Sequence, residues 1–130
     1  MIVSVVNEVL DRIKTDNPTL NVLPAFPDTI PNFPCAVVEE GNIQAHEESI
    51  DSSGETHNNG SINIEIFTKG YLKMTNAKKI SIGIDGLMSG EYGMKRTIGQ
   101  PIPNFADSEI YRYKLTYSYV INKSKTIYRR

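Results

Sequence analysis

Five side chains within twelve residues, His46, Glu47, Glu48, Asp51 and His57, are the one concentration of metal-binding and proton-transferring groups in the sequence. Imidazoles and carboxylates of this kind could hold zinc or exchange protons with a substrate. Their spacing argues against both. A zinc-protease helix needs two histidines four apart around a glutamate, and the residue four beyond His46 is Ile50. The surrounding stretch, Gly41 to Gly60, is rich in Glu, Asp, Ser, Asn and Gly and shows neither the strand period nor the helix period. Nothing local therefore fixes the donors in a ligand geometry. The segment reads as a solvated acidic loop, or as a hairpin with long arms. Gly83, Gly86, Gly90 and Gly93 are not arranged as a phosphate loop or dinucleotide fingerprint, and no Gly-x-Ser-x-Gly elbow occurs. The expectation is a protein without catalytic residues, metal or cofactor.

Nucleic-acid binding is the other chemistry the residue types allow. Four cations (Lys123, Lys125, Arg129, Arg130) surround Tyr128 in the last nine residues, and Arg112 and Lys114 share one face of a predicted strand. Basic residues interleaved with aromatics can follow a phosphate backbone and stack bases. However, the isoelectric point near 6.1 is far below the ~9 of a dedicated binder. The remaining tyrosines also have the spacing of a core.

That spacing defines the central element. From Tyr111 to Ile121 the odd positions read Tyr, Tyr, Leu, Tyr, Tyr, Ile, and the even positions from 112 to 118 read Arg, Lys, Thr, Ser. Alternation of this length predicts a strand over Ser108 to Asn122 with one face in the core. Such a strand needs paired neighbours and a covering layer. Ile2, Val5, Val6, Val9, Leu10 and Ile13 predict an amphipathic first helix, stopped at Asn17-Pro18 and not a signal peptide. Leu20 to Leu23 could be a short strand. Four prolines between Pro24 and Pro34 then impose an extended connector or sheet edge. Cys35 to Glu39 is a strand candidate, and Ile62, Ile64 and Ile66 mark another that ends at Lys69-Gly70. Between Tyr71 and Gly90 two patterns compete. Leu72, Ala77, Ile80, Ile84, Leu87 and Met88 fit one helical face, while Ile80, Ile82 and Ile84 also alternate. Length favours the helix. Met94 to Ile98 is a strand, and Gly99 to Asn104 an edge or loop. The order predicts a single domain over residues 1–130. Its class is α+β: a mixed, mostly antiparallel sheet with two helices packed on one face.

No apolar run approaches the ~20 residues of a membrane span. The lone Cys35 excludes an internal disulfide, fits a reducing interior, and reads as a small buried hydrophobe. Net charge is −1, but its distribution is uneven. Thr15 to Thr68 holds nine acids and no Lys or Arg, whereas Lys69 to Arg130 holds twelve bases and four acids. Either the fold mixes the halves, or one molecule carries an acidic face and a basic face suited to meeting copies of itself head to tail.

Phe33-Pro-Cys-Ala-Val-Val-Glu-Glu40, Ser61-Ile-Asn-Ile-Glu-Ile-Phe67, Pro101-Ile-Pro-Asn104 with Ile110-Tyr-Arg112, and Thr126-Ile-Tyr-Arg-Arg130 occur in that order. In this succession, over almost its whole length, the chain resembles the small neck and tail-completion (tail-terminator) proteins of tailed phages and prophages of Gram-positive bacteria. Gly99-Gln100 departs from the bulkier residues expected there. The resemblance implies a helix-capped α+β fold and a homohexameric ring that ends tail-tube polymerisation and joins the tail to the head connector. It implies a virion protein assembled in the host cytoplasm, with no catalytic residues and no membrane contact. Its partners would be its own copies, the tail tube protein, the connector or stopper, and the sheath protein where there is one. DNA would be only cargo in the channel. On this reading Glu47, Glu48, Asp51 and Glu55 face a neighbouring subunit or the channel. Lys78, Lys79, Arg112 and Lys114 form the complementary basic surface, and Tyr128, Arg129 and Arg130 contact the tail. An adjacent adaptor or stopper, or a small nucleic-acid-binding module, are the alternative readings.

Overall fold

The computed structural model describes residues 5–28, 30, 32–45, 50–51, 54–55, 57–103, 109–122 and 127–128. Helix α1 (Val6–Asp16) buries Val9 and Ile13, with Val5 buried one turn before Val9. These positions recur every four residues and so share a face. Asn17 closes the helix: its backbone N–H and its side-chain amide both donate to the Ile13 carbonyl, at 3.0 and 2.9 Å. Pro18 then disfavours helical geometry at Asn17. Ile2, predicted on the same face, lies outside the described residues.

Strand β1 (Asn21–Leu23) pairs parallel with β2 (Cys35–Ala45). The proline-rich connector between them crosses the face of the sheet opposite the helices. There Leu23, Ile30, Phe33 and Ile110 pack against Cys35, Val37 and Phe67. Ala36 and Val38 face the helices instead, so the unbroken Cys-Ala-Val-Val run is buried on both sides. Strand β5 (His57–Lys69) is antiparallel to β2 on one edge and to β7 (Ile110–Asn122) on the other. Two short strands, β3 (Ile50–Asp51) and β4 (Gly54–Glu55), pair with each other between β2 and β5.

Helix α2 (Lys73–Asp85) follows the turn at Gly70, whose φ of 101° lies where side-chain-bearing residues are disfavoured. It buries Ala77, Ser81 and Ile84 and runs into a π-helical turn, Gly86–Glu91, that adds Leu87 and Met88 to the core. The helical pattern predicted over Tyr71 to Gly90 is thus the one present. Strand β6 (Lys95–Ile102) pairs with β7 and continues beyond the predicted end at Ile98. Pro101 is accommodated because β6 lies at the sheet edge, where one side of the strand needs no donor. Strand β8 (Ile127–Tyr128) pairs with Val120 and Ile121 of β7.

The main sheet has six strands in the order β1-β2-β5-β7-β6, with β8 beside the end of β7. Only β1–β2 is parallel, and both helices pack on one face. The fold is therefore α+β with a mixed, mostly antiparallel sheet, as the element order predicts. On the helix side, Ile62, Ile64 and Ile66 meet Leu115, Tyr117, Tyr119 and Ile121, all 1% exposed or less. Arg12 on α1 donates two bonds of 2.7 Å to the Glu91 carboxylate and so ties the two helical segments together.

Candidate functional site

The β2–β5 pair extends well past β1, while β7 follows β5 to its first residue, with His57↔Asn122. Strand β1 has its last partner at Val37, yet β2 continues after a bulge at Glu40/Ile43 with Ile43↔Gly60, Gln44↔Asn59 and Ala45↔Asn58. At ~3.3 Å per residue, Ala45 lies roughly 26 Å beyond Val37 along the strand. Gly41 to Gly60 is therefore built on hairpin arms. Asp51 and Glu55 belong to the small β3–β4 hairpin at its end. Glu47, Glu48 and His46 lie outside the described residues, as do Arg129 and Arg130. Among the described residues no group of three or more His, Cys, Asp or Glu side chains could hold a metal.

The four basic residues predicted as one surface are divided by the sheet. Lys78 and Lys79 sit on α2, above the face that carries Leu115 and Tyr117. Arg112 and Lys114 alternate with those residues and occupy the opposite face. Arg112 is also engaged within the chain. Its Nη2 donates to Glu65 Oε2 at 2.7 Å, and its guanidinium lies 5.2 Å from the Phe67 ring centroid. Glu65 itself is only 8% exposed. Losing either partner of such a pair would strand a shielded charge, so the contact is structural. The basic surface as predicted is not one patch, because strand alternation and helix placement send its members to different sides. Tyr128 is placed in β8 against Val120.

Among the described residues, two clefts lie beside α2. One, of about 430 Å³, is lined by Phe33, Pro34, Thr68, Lys69, Asn76, Lys79 and Ile80. Lys69 Nζ stands 5.8 Å from the Phe33 ring centroid, and Thr68 Oγ1 donates to the Lys73 carbonyl at 2.6 Å. The other, of about 280 Å³, includes Lys78, Ile82, Asp85, Arg96 and Tyr113. At Asp85, Oδ1 accepts from the Tyr117 hydroxyl at 2.7 Å and lies 3.5 Å from Arg96 Nη1. Burial, and then this bond, push the Tyr117 hydroxyl well above its usual range. The phenol is held protonated, as a donor to a carboxylate that it helps to position. This is a packed polar contact without a nucleophile.

Sequence reasoning missed Lys69, Asn76 and Phe33 as a unit. They come from the end of β5, the first turns of α2 and the connector, and only the fold brings them together. The tyrosines of β7 offer no stacking platform for bases: Tyr117 and Tyr119 are fully buried, and Tyr111 and Tyr113 pack against the same core. Among the described residues no helix is long and apolar enough to cross a membrane. No protein-family model matches the chain, and no curated protein matches it significantly.

Proposed function

We propose that this chain is a structural virion protein of the phage neck, a tail terminator whose copies close into a hexameric ring at the end of the tail tube and join it to the head connector. The observation that carries the reading is the far half of β2, Ile43–Ala45, which runs on beyond β1 and leads into the small β3–β4 hairpin at one end of an otherwise helix-backed sheet. A strand end and hairpin of this kind give a subunit one surface unlike the rest of its outline, as a ring of identical copies requires. The family resemblance supports the same reading. Its motifs fall on β2, β5 and β7, which are neighbours in the sheet, on the end of β6 and, at Ile127–Tyr128, on β8. The proposal assigns no turnover and no cofactor, and DNA passes only through the channel.

Native mass measured over a concentration series tests assembly, with a multiple of six expected. A phage lacking the protein tests its place. Abnormally long tails in electron micrographs support the terminator, whereas normal tails separated from filled heads shift the assignment to an adjacent adaptor or stopper. DNA affinity that falls steeply with salt would instead favour a nucleic-acid-binding module.

A further inference from the structure

Strand β5 separates two ends of opposite chemistry. Its first residue, His57, is two positions from Glu55, and Asp51 pairs with Gly54 in the same small hairpin. Its last residue, Lys69, opens into the 430 Å³ cleft with Lys79 and Asn76. Between these ends β5 is hydrogen-bonded to β7 along its whole length, from His57↔Asn122 to Lys69↔Ile110. Twelve extended steps place them about 40 Å apart. The acidic turn therefore cannot fold back onto the cleft of its own chain.

The charges at the two ends are complementary. Residues 46–56 contain four acids, no Lys or Arg, and a single apolar residue, Ile50. Residues 69–96 contain six bases and two acids. Among the described residues the ion pairs involve Arg12, Arg96 and Arg112, and neither Lys69 nor Lys79 takes part in one. Two ammonium groups lining one cleft repel each other until an anion enters. Beside them Asn76 can donate a hydrogen bond, and Phe33, Pro34 and Ile80 offer an apolar wall.

We infer that the Lys69–Lys79 cleft receives the acidic β3–β4 turn of a second copy of this chain. The inference rests on the ring reading and replaces the divided basic surface with one receptor. Donor and receptor are different surfaces, so the contact is heterologous and repeats from copy to copy. The carboxylates of Asp51 and Glu55 accept from the ammonium groups and set the register, while contact with the apolar wall supplies affinity.

The test uses the full chain, with circular dichroism to establish that each variant is folded. Lys69→Glu with Lys79→Glu, and separately Asp51→Lys with Glu55→Lys, are each expected to raise the concentration needed for assembly by about tenfold or more at low salt. The variant carrying all four changes is expected to assemble like the parent. A second measurement does not depend on ring closure. Under oxidation, Glu55→Cys with Lys79→Cys is expected to give a ladder of linked species whose disulfides join position 55 to position 79 in peptide mass maps, whereas either single change stays mostly unlinked and bonds between like positions count as no ladder. A parent of sixfold mass with no ladder and unimpaired charge variants would overturn the docking and leave the ring. A ladder from a chain whose mass is not a multiple of six would support the docking and overturn the hexamer. A monomeric parent without a ladder would overturn both.

Discussion

Tyr117 and Tyr119 are neighbours on one face of β7, both fully buried, yet their hydroxyls have different surroundings. Tyr117 donates to Asp85, whereas the Tyr119 hydroxyl finds no partner among the described residues. Tyr117→Phe should therefore cost about 1 kcal/mol, and Tyr119→Phe should be neutral or slightly stabilising, because it removes a polar group that folding desolvates. Urea unfolding of the two variants checks the contrast. Both hydroxyls also titrate above the ordinary value of 10.0. Burial and the Asp85 bond raise Tyr117, and burial, with Glu40 nearby, pushes Tyr119 up to about 12. Folding thus favours the protonated phenols. Their contribution is complete below pH 10; above it the unfolded chain loses protons first and stability falls. The Tyr119 share is gone by about pH 12, and the Tyr117 share persists to higher pH. Replacing both with Phe should flatten the alkaline limb of stability against pH. Alternation alone identifies which tyrosines are inside. It carries no sign of Asp85, which lies 32 residues away and meets Tyr117 only because α2 crosses that face.

At the scale of elements, α2 shows how two periodicities in one stretch resolve. Ile80, Ile82 and Ile84 would share a face in a strand, but in the helix Ile82 turns outward, 74% exposed, while Ile84 is 1% exposed. Ile84→Ala should cost about 2–5 kcal/mol, and Ile82→Ala should stay within about 0.5 kcal/mol. Comparable losses at both sites would contradict the helix. The far half of the β2–β5 pairing offers a second check. Gly60 lies under the Tyr119 ring, and a Cβ there would sit 2.6 Å from its hydroxyl oxygen and 2.8 Å from Cε2. Gly60→Ala should therefore destabilise by about 1–3 kcal/mol in thermal or urea unfolding. The hairpin within Gly41 to Gly60 was only an alternative in the sequence because backbone pairing such as Gln44↔Asn59 leaves no hydrophobic period to read. The division of the basic residues was hidden for a different reason. Lys78 and Lys79 are positioned by the side of the sheet on which α2 packs, and that is a tertiary choice. The proline connector was legible as an extended path, but its role as a cover for Cys35, Val37 and Phe67 depends on the parallel β1–β2 pairing.

For the whole molecule, a net charge of −1 conceals an acidic span and a basic span that meet along the β5–β7 pairing, where the Glu65–Arg112 ion pair is shielded. The ends of β5, about 40 Å apart, are separated by several screening lengths at physiological salt, where the Debye length is ~8 Å. Within one chain they barely interact, so their opposite signs contribute little to the stability of the monomer. Between chains the same charges come into contact. Salt should therefore separate folding from assembly. At a protein concentration that keeps the chain monomeric, raising the salt from low levels to about 0.5 M should leave the melting temperature nearly unchanged, since exposed ion pairs such as Arg12–Asp16 contribute little to folding. Over the same range the concentration needed for assembly should rise by about tenfold, because screening removes the attraction between an acidic turn and a lysine-lined cleft. Native mass and thermal melts on the same samples measure both quantities. A melting temperature that fell with salt while the mass stayed constant would make the charge asymmetry a feature of folding, and the two ends of β5 would lose their role in assembly.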